Sequence, residues 1–325
     1  MKCLACYKPL EDETEIAGEY HHRCARRVFR HEDPPAIQLR LRELDEQLLK
    51  VNLRGAMAGV QTKLSMTYEG RGSNGRLTIV GLWGEYILKP PSTTYGHLPE
   101  NEDLTMHLAT IAGIDTADHT LVRLEDGTLA YLTRRFDRST KTRGSKNVVS
   151  TKLHVEDMCQ LTERLTDDKY KGSMEQVGRM IRDNSEPVAL NLLRFFERTL
   201  FSFLTGNADM HLKNWSLIRT PTNEHLLSPA YDLLSTKLAV AEDEEEMALP
   251  LNGKKSNLRR KDFDSLAESI GLPTGLRDNT YRNFQKRLPK MNDFIGQSFL
   301  SQENIERYLQ LILSRASRIG LIPEE

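Results

Sequence analysis

The run Leu192-Leu193-Arg194-Phe195-Phe196-Glu197-Arg198-Thr199-Leu200-Phe201-Ser202-Phe203-Leu204-Thr205-Gly206-Asn207-Ala208-Asp209-Met210-His211-Leu212-Lys213-Asn214 organises the rest of the chain. Its apolar residues recur at helical spacing and predict a buried helix over 188–206. At Gly206 the character changes, and Asp, His, Lys and Asn follow in close order. Asp209 and Asn214 stand in D-x4-N spacing, and Asp232 comes eighteen residues after Asn214, in Tyr231-Asp232-Leu233-Leu234. Phosphoryl transfer needs such a set: one carboxylate to take the nucleophile's proton, and an amide oxygen with a second carboxylate to hold Mg2+. Alone the D-x4-N step is weak. On the residues themselves other readings stay open: Asp209 as a cap, Asn214 as a turn residue, His211 as a satisfied buried histidine, or Asp209, His211 and Asp232 holding a divalent ion in a metalloenzyme. Walker A and G-x-S-x-G motifs are both absent.

Upstream, Lys89 ends a strand-like run Glu85–Lys89, and Glu102 lies thirteen residues on, in a helix over Asn101–Ile111. That places a lysine where nucleotide phosphates are reached and a glutamate where it pairs with that lysine. Taken singly, Lys89 reads as an edge-strand cation and Glu102 as a charge at a helix N-terminus. Further strand-like runs are Leu77–Leu82, Thr120–Arg123 and Thr128–Thr133, separated by Gly70–Gly75 and Glu125-Asp126-Gly127. A helix is expected over 36–50, and from Val155 onward helical spacing recurs over 155–165, 172–184, 260–271, 276–290 and 301–319. A β-rich first half and a helical second half predict an α+β, two-lobed architecture. The expected division is a zinc knuckle at 1–33, an N-terminal lobe at 34–150 and a helical C-terminal lobe at 151–325.

The knuckle expectation rests on Cys3-x2-Cys6 followed by His21-x2-Cys24. Two tight N/S ligand pairs across a short loop suit tetrahedral zinc, with His22 an alternative to His21. The intervening segment is too short and polar for a core of its own, and structural zinc contributes roughly 10–16 kcal/mol. All four positions are filled, so the knuckle is a staple or a docking knob without catalytic work. The fourth cysteine, Cys159, stands alone, so no disulfide framework is expected. With 325 residues, 38% hydrophobic and 28% charged, the chain has material for a core, and its net charge of -1 argues against a protein that coats nucleic acid by bulk electrostatics. No apolar run reaches the roughly 18 residues of a transmembrane helix, and Met1–Cys6 opens no secretory signal, so a cytoplasmic protein without membrane contact is expected. The acidic run Glu242–Glu246 and the basic loop Arg134–Lys146 read as solvated surface.

From about Gly59 to the C-terminus the chain resembles the HipA family of serine/threonine kinases, the toxins of bacterial type II toxin–antitoxin modules. The carriers are Gly59-Val60-Gln61-Thr62-Lys63-Leu64, Tyr86-Ile87-Leu88-Lys89-Pro90, Asn101-Glu102, Arg135-Phe136-Asp137-Arg138, Glu156-Asp157-Met158-Cys159-Gln160, Asn207–Trp215, Pro229-Ala230-Tyr231-Asp232 and Leu249–Lys254. The Cys3–Cys6 opening also looks like the knuckle of compact, HipT-like members. The resemblance implies a protein-kinase-like fold with a β-rich N-lobe and an all-helical C-lobe, and transfer of the ATP γ-phosphate to a protein, with ATP, Mg2+ and structural Zn2+ as cofactors. It implies that Lys89 with Glu102 serves the nucleotide phosphates, together with the loop of Gly59, Gln61 and Lys63. Arg134 and Phe136 would lie at the adenine-reading hinge, and Gln160 would line the pocket. Asp209 would be the base, His211 and Lys213 would steady the phosphoryl group, and Asn214 and Asp232 would hold Mg2+.

The implied partners are a HipB-like helix-turn-helix antitoxin, with DNA reached only through it, and an aminoacyl-tRNA synthetase as substrate. Two departures stand out. Larger members carry a further β-rich N-terminal subdomain, so a small HipS-like protein is expected to supply it, or the knuckle to replace it. The family's loop also bears serines that accept an inhibitory phosphate, whereas Ala56 and Ala58 stand here without a hydroxyl. The rival readings are a catalytically silent nucleotide-binding adaptor, opposed by the intact Asp209, Asn214 and Asp232, and a nucleic-acid binder using the knuckle, opposed by the net charge.

Overall fold

A computed structural model describes residues 1–11, 16–41, 62–70, 74–80, 83–92, 94–143, 147–240, 242 and 244–323. The chain divides into two compact units: one of 1–103, 117–135 and 297–300, the other of 104–116, 136–296 and 301–325.

The first unit opens with a two-residue hairpin, β1 (Ile16–Ala17) and β2 (Tyr20–His21), running into α1 (His22–Phe29). Then come β3 (Leu64–Glu69), β4 (Arg76–Ile79), β5 (Tyr86–Lys89), the start of α2 (Leu98–Ile111), whose residues from Leu104 belong to the second unit, β6 (His119–Arg123) and β7 (Leu129–Arg134). Strands β3 to β7 form one antiparallel sheet in the order β4-β3-β5-β7-β6. Its register pairs Leu88 with Leu132 and Lys89 with Tyr131, which sets the lysine at the end of a buried strand. The helix expected over 36–50 is not present at its start: Ala36 makes a parallel bridge to Arg76, so the chain there is extended, and 42–50 lies outside the described residues. Leu39 is buried, but residues 37–40 form neither helix nor strand.

The knuckle segment belongs to this unit and is built into its core. Cys3, Leu4, Ala5, Tyr7, Ala25, Val28 and Phe29 are each no more than 2% exposed. Leu121 N–H donates to the Leu4 carbonyl, Tyr20 donates to the Leu121 carbonyl at 2.7 Å, and Tyr7 donates to Asp103 Oδ2 at 2.8 Å.

The second unit contains the hairpin β8 (Arg138–Arg143) and β9 (Asn147–Lys152), then β10 (Val155–Asp157), α3 (Met158–Leu161), α4 (Met174–Asn184), α5 (Val188–Leu204), β11 (Ser216–Arg219), β12 (His225–Leu227), α6 (Thr236–Ala239), α7 (Arg260–Ile270), α8 (Thr274–Ile295) and α9 (Gln302–Arg318). Its later helices follow the expected spacing closely. The helix expected over 155–165 is instead strand β10 followed by one turn, because Val155, Glu156 and Asp157 pair with Ile218, Leu217 and Ser216. The all-helical expectation is amended by that small sheet, β10-β11-β12. No helix among the described residues is long and apolar enough to cross a membrane.

Helix α5 is the core of this unit. Leu192, Phe195, Phe196, Leu200, Phe201, Phe203 and Leu204 are at most 3% exposed, and each aromatic burial contributes roughly 1.5–3 kcal/mol. Phe196 meets Tyr281 of α8 edge-on, Phe203 packs on Phe263 of α7, and the Phe203 carbonyl accepts from Arg315 of α9. The helix ends at Gly206, whose φ is +72° and whose carbonyl accepts from Thr236 and from Lys237 N–H. A Cβ there would sit 2.6 Å from Leu311 Cδ2. Gly206→Ala is therefore expected to destabilise the protein by about 1–2 kcal/mol from the left-handed backbone alone, read as a lower denaturant midpoint.

Candidate functional site

The polar segment after Gly206 is held from beneath by backbone geometry. Asp209 N–H donates to Asn207 Oδ1 at 3.1 Å, and Ala208 N–H donates to Thr236 Oγ1 at 2.9 Å. Leu212–Asn214 forms a short 3-10 turn, from which Asn214 Nδ2 donates to the Asp209 carbonyl at 2.9 Å. That bond orients the amide and leaves its oxygen, a hard-cation donor, for another partner. Asp209 itself is not buried: its side chain is 39% exposed and its Oδ1 accepts from Tyr170 Oη at 2.6 Å.

His211 lies beneath, 5% exposed, with Nε2 4.0 Å from Asp209 Oδ1 and its ring edge-on to Tyr170. Burial holds its pKa below the usual imidazole range, against the pull of the Asp209 and Asp232 carboxylates and with Lys169 acting in the same sense as burial. Its neutral form is thus favoured. Asp232 belongs to the same field and takes a left-handed backbone, φ +58°. Asn214 and Asp232 together offer the oxygen donors Mg2+ prefers, so their chemistry fits the metal expected there.

Lys213 and Gln160 sit differently from what their expected roles suggest. Lys213 Nζ pairs with Asp157 Oδ2 at 3.1 Å, and Asp157 caps α3 in a reciprocal box with Gln160, whose Oε1 accepts from Asp157 N–H. These two side chains therefore brace β10 and α3. Phe136 packs against Tyr231, the neighbour of Asp232, with ring centroids 5.4 Å apart. Arg134 ends β7, and the chain passes between units after Arg135.

Three residues of the site had been given no role from the sequence. Tyr170 carried no signal at all. Tyr231 donates to the Lys213 carbonyl at 2.8 Å and so ties the Asp232 segment to the Asn214 turn. Arg198, 2% exposed, donates to the Ser228 carbonyl at 2.6 Å and lies 5.4 Å from the Trp215 ring. A charge inside the apolar run Leu192–Leu204 was its only visible clue.

In the first unit Lys89 Nζ and Glu102 Oε1 are 2.5 Å apart, with side chains 4% and 1% exposed. Lys63 precedes β3 and is half-buried, whereas Gly59, Gln61, Ala56 and Ala58 lie outside the described residues. Also in this unit, the ligand atoms of Cys3, Cys6, His21 and Cys24 all fall within 4.8 Å of one another. Tetrahedral zinc with Zn–S near 2.3 Å needs about 3.8 Å between sulfurs, so the set fits. His21 Nδ1 lies 3.5 Å from Cys6 Sγ, and Nε2 lies 3.1 Å from the Pro9 carbonyl, the outer-shell bond that aims Nδ1 at a metal. Hydrogen bonds from Cys24 and Cys6 hold the Cys3 thiol far below its usual range, toward the ligating thiolate. His21, not His22, completes the cluster.

Removing one partner of a buried ion pair strands the other. Glu102→Ala is expected to cost about 3 kcal/mol or more in denaturant unfolding, and a Lys89→Met/Glu102→Leu double variant is expected to recover most of it.

The family model described as the HipA-like C-terminal domain matches residues 55–292, well over half of the chain. A putative kinase named Y4dM from Sinorhizobium fredii is 36% identical over 251 residues, covering 72% of this chain and 58% of that protein. The serine/threonine-protein kinase toxin HipA of Shewanella oneidensis is 28% identical over 257 residues, 73% of this chain and 56% of its own length. The chain thus matches less than three fifths of either relative. The solved structure of the Shewanella oneidensis HipA toxin–antitoxin complex with HipB and operator DNA superposes with a TM-score of 0.67 at 22% identity, covering 87% of this chain and 71% of that one. With the two-unit α+β architecture and the cluster around Asp209 in place, this chain belongs to the HipA-like C-terminal domain family.

Proposed function

We propose that this chain is an ATP-dependent serine/threonine protein kinase, the toxin of a type II toxin–antitoxin module. The observation that carries the reading is the Asp209 cluster: an exposed carboxylate whose backbone carbonyl is bonded to Asn214, above a neutral buried His211. Asp209 accepts the proton of the acceptor hydroxyl. Asn214 and Asp232 supply the oxygens for Mg2+, which when bound offsets charge on the nucleotide phosphates. His211, desolvated and uncharged, packs beside Asp209 without placing a positive charge against its carboxylate. Lys89, fixed by Glu102, serves the phosphates. Since phosphoryl transfer leaves the protein little covalent work, positioning and electrostatics supply most of the acceleration.

The relatives support the partner readings. The Shewanella oneidensis protein is a HipA toxin, and its structure holds HipB and operator DNA. By analogy, an antitoxin of the HipB type would bind this chain and carry the DNA contacts. An aminoacyl-tRNA synthetase is the proposed substrate, so that its phosphorylation halts translation in the cytoplasm, and a HipS-like protein is the proposed supplier of the further β-rich subdomain. The Cys3, Cys6, His21 and Cys24 set would hold zinc as a structural staple.

Labelled γ-phosphate from Mg-ATP, added with the chain to a bacterial lysate, is expected to mark a band of synthetase size. Asp209→Ala is expected to reduce that transfer by about 100-fold or more while sparing ATP binding, whereas Asp232→Ala weakens Mg-ATP binding as well. Transfer that survives Asp209→Ala would sink the reading. Metal analysis of the purified chain is expected to return one zinc per chain. Because the knuckle is part of the first unit's core, chelation is expected to lower the melting temperature of that unit, not of the knuckle alone. A zinc content of zero would overturn that part.

A further inference from the structure

Tyr170 differs from the other tyrosines whose hydroxyls bond a neighbour. Tyr7, Tyr20, Tyr86, Tyr281 and Tyr308 are all 5% exposed or less, and Tyr231 is part-buried. Tyr170 is 43% exposed, and its hydroxyl donates at 2.6 Å to Oδ1 of Asp209, the carboxylate that faces solvent. A general base must lie about 2.6–3.2 Å from the oxygen whose proton it removes, and this contact meets that requirement.

The contact is also held in place. Leu212 N–H donates to the Lys169 carbonyl at 3.0 Å, which pins the backbone next to Tyr170 onto the turn that carries Asn214. The segment 165–171 is closed by its own turns: Asp168 N–H donates to Leu165, Lys169 N–H to Thr166 and Lys171 N–H to Asp168. The ring stands edge-on to His211, with centroids 5.2 Å apart at 78°.

We propose that Tyr170 is an internal phosphoacceptor, a self-modification site whose hydroxyl holds the position against Asp209 that a substrate hydroxyl takes. The inference rests on the reading of Asp209 as the general base. In the step, Tyr170 Oη attacks the γ-phosphorus of Mg-ATP. The new O–P bond forms as the β,γ-bridging P–O bond breaks, the electron pair of that bond leaves with ADP, and the phenolic proton passes to the Asp209 carboxylate. Burial and the Asp209 bond both raise the pKa of the phenol, so it enters the step protonated and needs a base, as an alcohol does.

The product has somewhere to go. A phosphotyrosine carries about −1.5 to −2 charge at neutral pH, which the Asp209 carboxylate repels. The same segment supplies cations: Lys169 Nζ lies 4.9 Å from the Tyr170 ring, Lys171 pairs with Asp168, and Arg164 donates to the Lys171 carbonyl. Modification is therefore expected to draw the ring off Asp209 and open the carboxylate to other acceptors.

The full chain, incubated with Mg-ATP and casein, is digested and mapped by tandem mass spectrometry beside Tyr170→Phe and Asp209→Asn variants. The expected result is phosphate on Tyr170 in the parent, formed at a rate that does not change on dilution, and lost in both variants. Thermal melts of the variants check that each is folded. Casein phosphorylated with Tyr170 unmodified overturns the inference and leaves the kinase reading standing. Phosphate on Tyr170 that persists in Asp209→Asn, or that forms faster as the chain is concentrated, also overturns it. Absence of phosphate on casein and on every residue of the chain overturns the inference, and the lysate transfer described above then decides the kinase reading separately.

Discussion

Helix α5 is buried all round over its last two turns, Arg198–Leu204, and the chemistry of the second unit depends on that enclosure. A helix packed against α4, α7, α8 and α9 has no freedom to translate or roll, so the point where it ends is fixed. Gly206 allows the chain to leave that end in a left-handed turn, and Thr236 and Lys237 clasp its carbonyl. The polar residues from Asn207 to Asn214 inherit a precision that a surface loop of the same composition lacks. Reactive groups must be held close to their productive geometry, and here the apolar core supplies the rigidity.

A second set of braces comes from residues that have no chemistry of their own. Tyr231 joins the Asp232 segment to the Asn214 turn, Arg198 reaches the Ser228 carbonyl from within α5, and Asp157 holds Lys213. Each of these polar groups forms a bond to the segment it supports, which offsets part of the cost of removing it from water. In the first unit the same role falls to Lys89 and Glu102, and to the knuckle, whose side chains share the core of the sheet.

Much of this was legible beforehand. The buried helix, the D-x4-N step, Asp232 and the Lys89–Glu102 pairing all followed from residue type and spacing, because apolar periodicity and charge placement are local properties. The Cys3, Cys6, His21 and Cys24 set was readable for the same reason, and the choice of His21 over His22 followed once the hairpin β1–β2 and the start of α1 were known. Where spacing misled, a tertiary partner had overridden it. Residues 155–157 pair with β11, and Ala36 bridges to Arg76, so the backbone at 155–157 and at Ala36 is extended despite helical periodicity.

The sequence by itself determined the architecture class, the family and the inventory of chemical groups, since these depend on which side chains are present and in what order. Tertiary structure alone decided what those groups touch. Lys213 turns to Asp157, Gln160 closes a helix cap, and Tyr170, thirty-nine positions before Asp209, lies against its carboxylate. Contacts between distant positions are set by how helices and strands pack, and packing is a property of the whole fold that no local spacing encodes.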